Sequence, residues 1–273
     1  MTVKVRPARA TGGVSGRLAE GATAERLVSV LSPILLLALW EALGRAGALD
    51  TRFFPPPSAI AGAFPPLLRS GELFDHTATS LGRIVIGFLI GAVPALVLGI
   101  AMGLSRLLRA ALNPMIGALY PIPKTAILPL LLLIFGTGEA SKYAAVAIGV
   151  FFLVLLNTIA GVLSIEPVYL DVGRHFGASR VQIFRTVALP GALPLILTGI
   201  RLGWGTALIL IVVAEIFAAR SGLGSFINNM YQTFQVENMY AGLIVISVIG
   251  YVSFLILDEL QRWLIPWRGS RAV

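Results

Sequence analysis

Cysteine is absent from this 273-residue chain, which excludes disulfides, thiolate zinc sites and cysteine nucleophiles. Histidine is almost absent. His76 and His175 are the only two, far apart and in polar stretches, so they cannot form a His–His metal pair. No HExxH or GxSxG motif occurs, which leaves zinc-protease and serine-hydrolase chemistry without residues. Charge is scarce as well: Asp, Glu, Lys and Arg make up 12% of the chain, against about 25% in an average soluble domain. No polar block is long enough for a separate soluble domain. A nucleotide site is missing too. Lys124-Thr125 resembles the end of a phosphate-binding loop, but Pro123 stands where that loop needs glycine, and no strand precedes it. The chain therefore offers no catalytic residues, no metal site and no cofactor of its own. If ATP drives it, another subunit must bring the ATP.

What fills the chain is apolar sequence, 57% of all residues, in runs long enough for membrane spans of about 20 residues. The reading is an all-α integral membrane protein with six spans. Residues 1–25 read as a disordered cytoplasmic tail, 26–265 as one transmembrane domain, and 266–273 as a short cytoplasmic tail. The first span, Leu27 to about Arg45, lacks a small-residue cleavage site after it and reads as a retained anchor. Pro55–Pro57 then fix an extended entry to a short interfacial helix, which Ser58 can cap.

The second span, from about Thr77 to Leu104, repeats Gly87, Gly91, Ala95, Gly99 and Gly103 every fourth residue. Residues four apart share one helix face, so this is a smooth stripe for close helix packing. Arg106 and Arg109 follow as a short basic loop. The third segment, about 113–135, is broken by Pro114, Pro121, Pro123 and Pro129. Broken backbone at membrane depth is tolerated beside protein or a watery cavity. Lys124 inside it is thus a candidate for the pathway, or a residue at the membrane surface. GTGEASK, from Gly136 to Lys142, reads as a turn before a fourth span from Tyr143 to Leu163.

Between the fourth and fifth spans lies the most polar stretch, Glu166 to Pro190, which reads as two short helices hinged at a glycine. Pro167 suits a first helical turn. Gly177 can take the left-handed conformation that ends a helix. Ser179 followed by Gln182 is a capping box for the second helix. The fifth span, about Ala192 to Ala219, carries Arg201 and Glu215. They are about 21 Å apart along a helix, at 1.5 Å per residue, and do not pair with each other. Glu215 reads either as a buried pair or cap near the outer end or as part of a pathway or gate. Arg201 serves the pathway, the loop or bundle packing. A short amphipathic helix begins near Ser225, and the sixth span runs from about Met239 to Leu264.

Six spans put both termini on one side. Thirteen Lys and Arg fall on that side, including Arg106, Arg109, Arg174, Arg180 and Arg185, against Arg45, Arg52, Arg69, Lys142 and Arg220 on the other. This bias places both termini and the Glu166–Pro190 loop in the cytoplasm. The net charge of +8 is thereby a topology signal, and nucleic acid is not an expected partner.

The loop resembles a known family. Permeases of binding-protein-dependent ABC importers carry EAA, three residues, G, nine residues, then I-x-L-P. Here Asp171, Val172 and Gly173 stand at the EAA positions, Gly177 at the glycine, Val187 at the isoleucine, and Leu189-Pro190 at the end. The segments YPIPKTAILPLLLLIFGTGEASK, LPGALPLILTGIRLGWGTALILIVVAEIF and SGLG are similar to the aliphatic sulfonate, taurine and nitrate permeases. The resemblance implies the type I importer permease fold in a bacterial inner membrane, two permease copies, two cytoplasmic ATPases holding ATP and Mg, and a periplasmic binding protein. It also implies ATPase coupling through Asp171, Arg174, Gly177, Ala178, Ser179, Arg180 and Pro190, and a small anion as cargo. Relatives of this subgroup extend the cargo to a vitamin precursor, a pyrimidine or an aromatic acid. A membrane enzyme or scaffold is the reading from outside transport.

Overall fold

A computed structural model describes residues 14–267, apart from the side chains of residues 14–26 and of Arg180. The expectations for residues 1–13 and 268–273 lie outside the described residues. Among the described residues every regular element is helical. After Gly62 the chain divides into two compact units.

In the first unit, α1 (Val14–Arg45) begins well before the expected anchor. Residues 14–25, read as irregular tail, include three Ala and two Glu beside Arg17 and Leu18, residues that favour helix and extend it backwards. Its apolar part, Leu27–Arg45, is long enough to cross a membrane. The helix α2 (Pro57–Arg69) follows the proline entry and runs on past Gly62 into the second unit. Ser58 does not cap it. Its hydroxyl donates to Glu41 at 2.7 Å and its N–H donates to the same carboxylate at 3.0 Å. The acceptor on α1 outcompetes the orphan N–H groups of α2, so Ser58 ties the two helices together.

The second unit is built on three long helices, α3 (Glu72–Leu104), α6 (Glu139–Leu163) and α9 (Leu189–Ala218). At 33 residues, α3 is about 50 Å long, enough to cross a hydrocarbon core of about 30 Å with a turn or two to spare at each end. The glycine stripe of α3 faces α6. A Cβ at Gly87 would lie 2.7 Å from the Val146 Cβ, and one at Gly99 2.7 Å from the Thr158 Cβ. On its other face α6 meets α9 in the same way, where Gly199 lies against Asn157 and Gly203 against Val150 and Val154. Ala95, Val146, Val150, Leu155, Ala207 and Ile211 fill the shared core. Small residues let backbones approach, and in a membrane that packing replaces the hydrophobic drive available in water.

Between α3 and α6 lie α4 (Arg106–Leu119), a short 3-10 turn (Lys124–Ile127) and α5 (Leu128–Phe135). Arg106 and Arg109 open α4 rather than forming a loop. Ser105 caps the helix by accepting from the Leu108 N–H at 3.2 Å, and Arg109 donates to the last carbonyls of α3 at Met102 and Gly103. These local bonds are available without any partner helix, which is why the corner is so tight. The prolines do break the segment: α4 and the Lys124–Phe135 piece meet at 82°. Among the described residues five helices are long and apolar enough to cross a membrane, six where this bent pair counts as one span.

After α6 come α7 (Pro167–His175) and α8 (Arg180–Ile183), and α8 runs into α9 through one π turn, Phe184–Ala188. Pro190 has no N–H to return to Thr186, and a wider turn makes room for its ring. Two helices complete the unit, α10 (Leu223–Gln232) and α11 (Val236–Leu264), the latter reaching three residues further forward than expected. Leu223, Phe226, Met230 and Ala241 hold them together.

Candidate functional site

At one end of the bundle, α7 and α8 form a hinged pair. The N–H of Ala178 donates to the Gly173 carbonyl and that of Gly177 to Arg174, both at 3.0 Å. With Gly177 at φ +76° this is a Schellman cap, which needs a left-handed residue after the helix. The capping box closes in both directions. The Ser179 N–H donates to Gln182 Oε1 at 2.7 Å, and the Gln182 N–H donates to Ser179 Oγ at 3.3 Å. Arg174 donates to Asp171 at 3.0 Å, with both side chains more than half exposed. Ala178 is half-buried in the turn and Pro190 half-buried in the first turn of α9. Arg180 opens α8, and its side chain lies outside the described residues. A Cβ at Gly173 would stand 3.1 Å from Ile183, so a small residue there lets the two helices touch. Outward the pair shows Val168, Tyr169, Phe176 and Val181, and Phe176 is 87% exposed.

At the opposite end lies a buried charge network. Arg83 on α3 donates from Nε and Nη2 to the two Glu139 oxygens at 2.7 and 2.6 Å. Its Nη1 donates to Glu215 at 2.9 Å and to the Ser221 carbonyl at 2.6 Å, and Nη2 reaches Ser221 Oγ at 3.2 Å. All five guanidinium N–H groups are thus occupied. Glu215 is fully buried. It accepts from Ser80 Oγ at 2.8–2.9 Å and from the Gly224 N–H at 2.9 Å. It is therefore both a buried ion-pair partner and a cap on the first turn of α10, where the helix dipole favours an anion. Ser80 in turn accepts from the Leu223 N–H at 2.8 Å, and His76 Nδ1 lies 2.9 Å from the Gly222 N–H. Lys142, 2% exposed, donates to the carbonyls of Thr137 and Gly138 at 2.9 and 3.0 Å and sits 3.7 Å from Glu139. The turn Ser221–Gly224 wraps the Glu215 carboxylate so closely that a Cβ at Gly222, where φ is +103°, would collide with it.

The three sequence candidates for a pathway lie apart. Only Glu215 belongs to the network. Lys124 donates to the carbonyls of Leu119, Tyr120 and Ile122 at 2.8–3.1 Å and lies 4.5 Å from the Phe152 ring centre. It closes the open end of α4. Arg201 pairs with Asp258 of α11 at 2.9 Å and stacks over Phe254 at 4.9 Å. Sequence reasoning placed Arg83 within a span, compatible like Lys124 and Arg201 with a positive path for a small anion, but gave it no partner and read Glu139 and Lys142 as parts of a turn. The available signal was Arg83 itself: an arginine inside an apolar span needs a buried acid, and Glu139 and Glu215, with Glu237, are acids at the matching ends of other spans. Among the described residues no group of three His, Asp or Glu could hold a metal ion.

A family model described as the inner membrane component of binding-protein-dependent transport systems matches residues 95–269. The chain is 36% identical over 241 residues to the putative aliphatic sulfonates transport permease protein SsuC of Bacillus subtilis (strain 168), covering 88% of this chain and 87% of that one. It is 36% identical over 248 residues to the taurine transport system permease protein TauC of Escherichia coli (strain K12), covering 89% and 90%. Among solved structures, the inward-facing MetNI methionine ABC transporter matches with a TM-score of 0.60 at 20% identity, over 73% of this chain and 98% of that one. That last likeness is one of fold.

Proposed function

We propose a function from one premise: the chain belongs to the inner membrane components of binding-protein-dependent transport systems. It is a permease subunit of an ABC importer, with the all-helical fold of the type I permeases. The rest is our reading. Two copies pair around the path, a separate ATPase seats on each copy at α7–α8, and a binding protein delivers a small anion of the sulfonate, taurine or nitrate kind. Both termini and α7–α8 lie on the cytoplasmic side of a bacterial inner membrane. ATP and Mg stay on the ATPase, whose motion passes through the hinged pair and alternates access.

The observation that carries this reading is the construction of α7–α8. The pair is bonded within itself, shows Phe176 and Val181 outward, and joins the long helices α6 and α9 directly. A body so built transmits a push from outside to two spans at once, in the manner of rigid-body switching.

The test is co-purification of the ATPase with the full chain, followed by ATP-driven uptake of labelled taurine in vesicles. Phe176→Glu is expected to abolish both while insertion stays normal. A wild-type chain that never binds an ATPase would overturn the reading. The absence of cysteine makes the topology directly testable. Ala178→Cys and Asn229→Cys are expected to react with an impermeant maleimide from opposite sides, the first from inside.

A further inference from the structure

Beside the charge network a cavity of about 460 Å³ opens between the first turn of α6 and the turn after α9, lined by Arg83, Thr137, Glu139, Lys142, Arg220 and Ser221. Its volume falls within the roughly 300–1,000 Å³ of small-ligand pockets. Phe217, Ala218 and Ala219 complete the lining, so three of its nine residues are cations. Arg83 spends one Nη1 bond on buried Glu215, so its charge is balanced from behind. Arg83 lines the cavity, and the edge formed by its Nε and Nη2 grips a carboxylate of the same lining in the fork geometry that suits any oxyanion with two acceptor oxygens. That carboxylate is Glu139, whose side chain is 49% exposed although its partner Arg83 is 6% exposed. The ammonium of buried Lys142 lies 3.7 Å from one of those oxygens, Glu139 Oε1. Arg220, on the opposite wall, has no acid within ion-pair distance among the described residues.

We propose that this cavity is a binding site for a small monoanion with two or three acceptor oxygens, a sulfonate or carboxylate, and that Glu139 is an internal stand-in for it. The ligand takes two oxygens to the Arg83 edge, a sulfonate turns its third towards Lys142 and Arg220, and Glu139 moves out to solvent. Arg83 keeps its bonds to Glu215 and Ser221 throughout, so α3, α9 and α10 stay joined. With Glu139 withdrawn, the lining holds Lys142 and Arg220 unbalanced, which favours an anion over a neutral or cationic solute. The inference rests on the importer reading only for its place in transport; the site itself rests on the cavity.

The test is equilibrium dialysis of labelled methanesulfonate against the full-length chain in lipid nanodiscs, at fixed ionic strength, with choline as the cationic control. Saturable binding of the anion and none of choline is expected. Arg220→Gln, which touches none of the buried bonds, should weaken binding about tenfold or more, the scale of one charge-assisted hydrogen bond. Glu139→Gln should tighten it by a similar factor, and Glu139→Asp, whose shorter arm reaches the fork less well, provides the same direction if the amide variant does not fold. Non-saturable binding, or equal binding by wild type and both kinds of variant, overturns the proposal. So does a site indifferent to free anions at which Arg220→Gln abolishes docking of the delivering protein, because the cavity then takes an acidic side chain. Failure here with ATPase association intact removes this site and leaves the importer reading standing.

Discussion

The two ends of the α3–α6–α9 bundle make their polar bonds on different scales. At the α10 end, Arg83 reaches 56 residues along the chain to Glu139 and 132 to Glu215, and Ser80 reaches 135 to the same acid. At the α7–α8 end, every side-chain bond of the described residues within the pair spans three or four residues. The first pattern fails if any one helix moves away. The second survives displacement of the whole pair, because nothing in it depends on a distant partner. One end therefore fixes the relation of three spans and the turn into α10, and the other carries a body that can be pushed. The proposed drive by a partner ATPase needs both, since a lever is useful only against something that holds its shape.

The comparison breaks first at Glu215. Glu215→Ala leaves Arg83 with an uncompensated buried charge and removes the cap from α10. Truncating one member of a buried pair costs about 3–5 kcal/mol, and the thermal midpoint of the purified chain in detergent should fall accordingly. An unchanged midpoint would mean that the network does not hold this end.

Gly222→Ala comes next. The position is left-handed, and its new Cβ meets the Glu215 carboxylate. The expected loss is about 2–3 kcal/mol, from backbone strain and a displaced acid. A double-mutant cycle sharpens the point. In the Glu215→Ala background the clash disappears, so Gly222→Ala should cost clearly less than it does alone. Strict additivity would show that the turn does not rest on the carboxylate.

At the other end the readout changes from stability to coupling. Gly177 has φ +76° and nothing within 4 Å of a Cβ. A side chain there meets only backbone strain, about 1–2 kcal/mol for a left-handed L-residue. Gly177→Pro adds the loss of the N–H bond to Arg174. The hinge should open while the bundle melts as before. ATP-driven uptake is expected to fall at least several-fold with ATP hydrolysis retained, and coupled uptake at the wild-type rate would rule out Gly177 as the hinge.

The same contrast explains what could be read from the residues alone. Pro167, Gly177, Ser179 and Gln182 act within a turn of themselves, and sequence shows such spacing directly. The glycine stripe of α3 is also local in pattern, and its face is set by the 3.6-residue period even though α6, its partner, is not named by it. Arg83, Glu139 and Glu215 are different. Their meeting depends on how α3, α6 and α9 cross, and no short-range rule states that. The turn Ser221–Gly224 looks like a generic glycine loop until the carboxylate it wraps is known. Arg106 and Arg109 failed for a smaller reason: two arginines after an apolar run suggest a loop, yet Ser105 caps a new helix at once. Lys124 stood out as a charge among prolines, but its purpose, closing the carbonyls left by the break at Pro121 and Pro123, requires the bend itself.

Ser179 offers the mildest way to sharpen the contrast. Its hydroxyl satisfies the Gln182 N–H, and Gln182 returns the bond to the Ser179 N–H. Ser179→Ala removes one arm of this exchange and should cost about 1 kcal/mol of helix start. The site is exposed, so water replaces part of the loss and no cavity forms. Global melting is expected to stay within error, since among the described residues α8 makes no bond to the charged end. The loss should instead appear locally, as faster amide exchange at Val181, Gln182 and Ile183, with a modest fall in coupled uptake. Ser179→Asp keeps a capping acceptor and puts a negative charge at the helix start, so it should restore slow exchange. If Asp fails where Ser succeeds, the hydroxyl serves the partner rather than the helix, and the pair is not the self-contained body its bonding pattern describes.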